Sequence, residues 1–108
     1  MNRMEENTTI GSEETIQRLK IPKLISELSE ESKKTFIVEV KKNIKDNELN
    51  IKQGKDRIEM NKCTYIIKSF LSYDWEADNI LMKIEEIEDY IKMLQSENEL
   101  FQKLLKMG

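Results

Sequence analysis

Histidine is absent from this chain, and cysteine occurs once, at Cys63. Without histidine the commonest general base and the usual zinc ligand are missing. One thiol supplies neither a tetrahedral zinc set nor an internal disulfide. Glycine (three) and proline (one) are scarce. No Gly-x-x-x-x-Gly-Lys loop, Gly-x-Gly-x-x-Gly turn or Gly-x-Ser-x-Gly elbow is present to cradle a phosphate or present a nucleophile. No apolar run reaches the length of a bilayer crossing, and residues 1–19 lack the apolar centre of a secretory leader. Charge of one sign is missing too: 18 basic residues against 21 acidic ones leave a net charge of −3, no large positive field for nucleic acid or anionic lipid. The expectation is a soluble, intracellular protein that is not an enzyme and takes no cofactor or metal. In its apolar context, Cys63 reads as a small buried hydrophobe.

What the chain has instead is charged and hydrophobic residues in near-equal shares, 36% and 38%. With so few helix breakers, that is the composition of helical bundles and coiled coils. Residues 1–11 are polar and aperiodic and read as a flexible tail; residues 12–108 read as a single all-α domain. Ser12, with Glu13 and Glu14 behind it, suits a helix start. That first helix carries Ile16 and Leu19 and ends near Lys20, because Pro22 pushes Ile21 out of helical geometry. Pro22 then opens a second short helix with Leu24, Ile25 and Leu28. Ser29, backed by Glu30 and Glu31, caps a longer helix whose apolar side is Phe36, Ile37, Val38, Val40 and Ile44, with Leu49 and Ile51 following less regularly. Gly54 either ends this helix or weakens it by about 1 kcal/mol relative to Ala. A third helix carries a wide buried face of Ile58, Cys63, Ile66, Ile67, Phe70 and Leu71. Residues 72–79 read as a connection in which Trp75 folds back onto the core, since an exposed indole wastes its apolar area. Short loops between such helices give αα-hairpins.

The strongest signal lies in the last third. Ile80, Ile84, Ile87, Ile91, Leu94, Phe101 and Leu105 follow one another in steps of three and four, interrupted only at Asn98. This is a coiled-coil-like seam about three and a half heptads long, with Ile84 at position a and Ile87 at d. A chain this small has limited means of covering it alone, so these seven residues are the expected partner interface. Cys63, Ile66, Ile67, Phe70 and Trp75 are expected in the core or in a subunit contact. Asn98 falls at an a position, where a buried amide fixes register at a cost in stability. The competing reading is a capping box at Ser96-Glu97-Asn98-Glu99, which breaks the helix at Ser96 and turns Asn98 outward; the break is the favoured reading. In either case Phe101, Leu104 and Leu105 form an apolar end suited to docking on another subunit.

Two charged groups invite a chemical reading. Glu85, Glu86, Glu88 and Asp89 are acidic neighbours, but successive helical residues point apart and no loop shapes a calcium cage; a solvated face accounts for them. Lys52, Lys55, Arg57, Lys62 and Lys68 form a modest basic group that would contact phosphate only as a minor possibility beside the same explanation.

One segment resembles a known family. Over residues 56–71, Tyr65, Ile66, Ile67, Ser69, Phe70 and Leu71 match in place a helix of the Sld-five-type subunit of the GINS replication complex, with Glu59-Met60 standing where the family has Met-Glu. Leu81-Met82-Lys83-Ile84-Glu85 is similar to the Leu-x-Lys-Ile-Glu that follows there. In the family both elements lie on one unbroken helix joined through Arg-x-Arg; here residues 73–78 are inserted and contain no arginine. The family's small β-rich domain has no counterpart within these residues. The resemblance implies a nuclear scaffold in a helical tetramer that bridges replicative helicase components. Ile66, Ile67 and Phe70 would then serve the core or a neighbouring subunit, with Lys83 and Glu85 as structural charges.

The function expected from all this is that of a non-catalytic helical subunit of a protein complex, hetero-oligomeric in preference to homo-oligomeric, acting through apolar helix faces. The alternatives are a homo-oligomeric coiled-coil adaptor and, third, a small nucleic-acid-binding or inhibitor protein using the Lys52–Lys68 face.

Overall fold

The computed structural model describes residues 19–107. Three α-helices follow in order: α1 (Ile21–Ser26), α2 (Glu30–Phe70) and α3 (Asp74–Met107). There is no strand among the described residues, so the all-α expectation holds. The expected tail and the Ser12-capped helix lie outside the described residues, apart from Leu19 and Lys20.

Local chemistry accounts for the helix boundaries. Pro22 sits in the first turn of α1, where its missing N–H is not needed. Ile21 is already helical, contrary to expectation; the change of direction falls on Lys20, which is left-handed at φ 56°. Ser29 caps α2 as its sequence implies: its Oγ accepts the Ser32 N–H at 3.1 Å, with Glu30 and Glu31 in the first turn.

The largest correction concerns length. The helices expected on either side of Gly54 are one helix of 41 residues. Likewise α3 runs unbroken through Ser96 for 34 residues, so the capping-box break does not occur.

The chain forms two compact units. One is Met1–Lys42 together with Leu100–Gly108; the other is Asn43–Glu99. In the first, Ile25 and Val40 are buried, while Ile21, Leu28, Phe36, Ile37, Phe101, Leu104, Leu105 and Met107 are half-buried.

In the second unit α2 and α3 pack antiparallel. The ridge of α2 consists of Ile44, Asn47, Ile51, Gly54, Ile58, Asn61, Tyr65 and Lys68 and that of α3 of Ala77, Ile80, Ile84, Ile87, Ile91, Leu94 and Asn98, all buried or half-buried, with half-buried Asn50, Asn79 and Glu97 beside them. Every step along both series is three or four residues, so each helix presents one continuous ridge to the other. Ile58, Ile84, Ile87 and Ile91 form the centre, with Ile51 and Ile80 packed against them. Fully burying each such side chain stabilises by roughly 1.5–3 kcal/mol, which makes this ridge the main source of the unit's stability.

Two positions set how the helices meet. Gly54 lies inside α2 at a tight point of the packing: an added Cβ would stand 3.1 Å from both Cδ1 and Cγ1 of Ile91, which would have to give way by a few tenths of an ångström, and in ordinary contact at 3.5 Å with Cγ2 of Ile87. It is a close-approach site and not a helix end. Farther from the turn, Asn47 is buried and its Nδ2 donates to Oδ1 of Asn98 at 2.9 Å and to Oε1 of Glu97 at 3.2 Å. Asn98 in turn donates from Nδ2 to the Ile44 carbonyl at 3.4 Å. Asn98 therefore takes the inward, register-setting role, and its partner is on the chain's own second helix.

Candidate docking surface

The predicted partner seam is corrected first. Ile84, Ile87, Ile91 and Leu94 are buried and Ile80 is half-buried within Asn43–Glu99. They face α2 of the same chain, which is long enough to cover them once Gly54 fails to interrupt it. Phe101 and Leu105 are half-buried in the other unit.

The second correction points the opposite way. Cys63, Ile66, Ile67, Phe70 and Trp75, expected in the core or a subunit contact, are all exposed, which removes the core alternative and leaves the subunit contact as the expectation. Phe70 is 85% exposed and Trp75 77%. The wide face from Ile58 to Leu71 is not the inward one; only Ile58 is buried, and the ridge continues through the more polar Asn61, Tyr65 and Lys68. The physical reason is register. The α3 ridge demands a residue every three or four positions after Ile58, and those positions hold Asn, Tyr and Lys, whatever apolar residues stand beside them.

Those apolar residues consequently form a second stripe on α2. Met60, Cys63, Ile67 and Phe70 are again spaced three, four and three, and 3.6 residues per turn stacks them on one face, about half a turn around from the buried ridge. Ile66 and Leu71 flank the stripe, and both are exposed. Met60 and Leu71 were not singled out as site residues in the sequence. The signal for Met60 is this second three-four series; Leu71 follows directly after its last member, Phe70.

The stripe ends at a well-defined turn. Ser72 is left-handed at φ 64°. The Tyr73 N–H bonds the Lys68 carbonyl at 2.9 Å and the Ser72 N–H bonds the Ser69 carbonyl at 3.0 Å, the pattern of a Schellman stop. Lys68 Nζ pairs with Oε1 of Glu76 at 2.8 Å and lies 5.2 Å from the Tyr73 ring centroid. Glu76 chiefly, by hydrogen bond and charge, holds the Lys68 ammonium above the ordinary lysine range. This ties the last turn of α2 to the first turn of α3. Trp75 and Tyr73 project at this end with their rings exposed.

The remaining surface offers less. A groove of about 290 Å³ beside Gly54 is lined by Arg57, Glu86, Ile87 and Tyr90 among others. Another, of about 370 Å³, is lined by Lys55, Ile58, Glu88, Ile91 and Lys92 among others. Among the described residues no buried side-chain polar atom lacks a hydrogen-bond partner, so neither groove holds an orphaned group aimed at a ligand. The basic group is divided: Lys52, Lys55 and Lys62 share one side of α2 and Arg57 and Lys68 lie on another, Lys62 pairs with Glu59 at 3.5 Å, and Lys68 is held by Glu76. Glu85, Glu86, Glu88 and Asp89 are all exposed. Among the described residues no three histidine, cysteine or carboxylate side chains converge as a metal site would require, and no helix is long and apolar enough to cross a membrane.

Comparison with protein families, with curated proteins and with solved structures finds no match to this chain. In the segment that resembles the GINS subunit, Tyr65 is half-buried while Ile66, Ile67, Ser69, Phe70 and Leu71 are exposed. The Lys83-Ile84-Glu85 element lies on α3, across the turn at residues 71–73; the family's single helix is a hairpin here.

Proposed function

We propose that this protein is a non-catalytic docking subunit of a protein complex, with the α2–α3 hairpin as support and the outward α2 stripe as the contact face. The observation that supports this reading is the exposure of Met60, Cys63, Ile66, Ile67 and Phe70 together on α2, with exposed Leu71 in the turn just after it. A soluble monomer seldom leaves so much contiguous apolar surface in water, and large exposed patches are characteristic of protein contacts. Phe70, with Trp75 and Tyr73 beyond it, supplies the aromatic anchors that concentrate binding energy.

The more specific setting we propose is a GINS-like nuclear scaffold in DNA replication. It is supported by the coincidence of the matching residues Ile66, Ile67, Phe70 and Leu71 with the exposed stripe, where a contact with a neighbouring subunit needs them. The hairpin turn between the two matching elements limits the correspondence to α2 and the start of α3.

Co-expression with the other subunits of such a complex tests both levels. Co-purification that is lost on Phe70→Asp or Ile66→Asp and kept on Glu86→Lys is the expected outcome. No association with those subunits ends the replication setting. Association indifferent to both stripe changes ends the docking role of the stripe.

A further inference from the structure

We infer that the α2 stripe pairs with the same stripe of a second copy of this chain, antiparallel, across a two-fold axis level with Tyr65. The inference rests on the docking reading above and names its partner, a second copy in place of the neighbouring subunit of the replication setting.

Three observations carry it. The first is self-complementarity. Reversing α2 about that level sets Met60 opposite Phe70 of the second copy and Cys63 opposite its Ile67, and the two-fold repeats both pairings. Four consecutive layers are then apolar on both sides, as a knobs-into-holes seam requires. Beside the axis, Ile66 approaches Ile66 and Thr64 approaches Thr64 of the second copy, so no charge meets its like there.

The second observation decides polarity. One step before Met60 in the same three-four series stands Asp56. A parallel, in-register pairing stacks Asp56 on Asp56 of the second copy directly below the Met60 layer, two like charges in a desolvated seam. In the antiparallel pairing Asp56 lies past the end of the second copy's α2, which stops at Phe70 and turns away through left-handed Ser72.

The third is area. The six exposed side chains offer roughly 600 Å² per chain, at the upper end of the patches found on monomers. Two such stripes together bury about 1,200 Å², the lower bound of a stable specific interface. A small pairing of this kind is reversible, and its dissociation constant is measurable.

The test uses the full chain. Sedimentation equilibrium should show a concentration-dependent dimer, and Ile67→Asp or Phe70→Glu should each raise the dissociation constant at least about tenfold with helicity unchanged by circular dichroism. A chain carrying both Cys63→Ser and Ile67→Cys, mixed with the unaltered chain and oxidised, should give the mixed disulfide in preference to either self-linked product. Dimers that withstand both stripe substitutions overturn the inference, and so does preferential Cys63–Cys63 linkage, which marks a parallel pairing. A strictly monomeric chain that still binds a purified co-expressed subunit through Ile67 overturns self-pairing while leaving the docking role intact. A monomer that binds nothing through the stripe removes both.

Discussion

Asn47 donates to Asn98 near the end of the ridge farthest from the turn: its Nδ2 lies 2.9 Å from Asn98 Oδ1, and Asn98 Nδ2 turns to the Ile44 carbonyl at 3.4 Å. The pair is satisfied in one alignment only, because sliding either helix by a turn sets an amide against an isoleucine. Asn47→Ala should therefore cost about 1–3 kcal/mol, mostly by leaving Asn98 without its donor. The double change Asn47→Ile with Asn98→Leu should regain that stability. Urea unfolding of the four-member cycle checks this; additive single effects would show that the two amides are not coupled.

Gly54 permits the close approach of α3. Gly54→Leu should destabilise the hairpin by roughly 1–3 kcal/mol through overpacking against Ile91. When Ile91 is first truncated to Ala, which removes both Cδ1 and Cγ1, Gly54→Ala should become stabilising relative to that background, since helix propensity favours alanine by about 1 kcal/mol once the Cβ has space. Thermal melts of the single and double variants provide the comparison. A melting temperature unchanged by Gly54→Leu would contradict the close approach.

Ser72 occupies a conformation that costs an L-residue about 1 kcal/mol or more. Ser72→Gly should raise stability by about 1 kcal/mol, and Ser72→Val should lower it, because a β-branched side chain tolerates positive φ least. Denaturant midpoints with unchanged slope are the readout. Should glycine stabilise nothing, the turn is not left-handed in solution.

The Lys68–Glu76 pair makes stability depend on alkaline pH. Lys68 is held above its ordinary range by Glu76. Its contribution is thus complete below the unfolded lysine value of about 10.4 and fades as pH rises through the higher folded value. The melting-temperature gap between the unaltered protein and Glu76→Gln should be steady through neutral pH and close only as pH rises beyond the ordinary lysine range. A gap that persists into strong alkali would assign Glu76 another role.

Buried and exposed apolar residues should respond oppositely to truncation. Leu94→Ala should cost about 2–5 kcal/mol, as for any large residue removed from a packed ridge. Phe70→Ala should change the stability of the isolated chain by no more than about 0.5 kcal/mol, while weakening any association. Chemical denaturation and a binding assay on the same samples separate the two. Equal destabilisation by both changes would place Phe70 in the core.

Much of the architecture was legible from local chemistry. The Ser29 cap, the proline-led α1 and the helical state of the Phe36-Ile37-Val38 run need only hydrogen bonds and torsions within a few residues. The α3 seam was readable too, since seven apolar residues at three-four spacing have one helical interpretation. What could not be read locally was what Gly54 and Ser96 do. Each is a good helix terminator alone, and each is overruled by a helix across the hairpin: Gly54 by the close approach of Ile91, Ser96 by the bond from Asn47 to Asn98. The destination of the seam was not legible either: small size suggested that the chain could not cover it, whereas residues 44–54 of α2 pack opposite Asn98 to Ile91 and the continuation of the same helix past Gly54 covers the rest.

Composition and periodicity alone determined that this chain is helical and that its aliphatic residues lie in stripes, because both follow from torsional preference and the 3.6-residue turn. Tertiary structure decided which stripe of α2 is inside. Ile58 and Ile67 are equally apolar, and nothing in their neighbours separates them. Their fates diverge because antiparallel packing must match ridge to ridge along its full length. Only the series through Ile44, Asn47, Gly54 and Ile58 meets α3 with an amide for its amide and a gap for its isoleucine, and that choice leaves Met60, Cys63, Ile67 and Phe70 facing water.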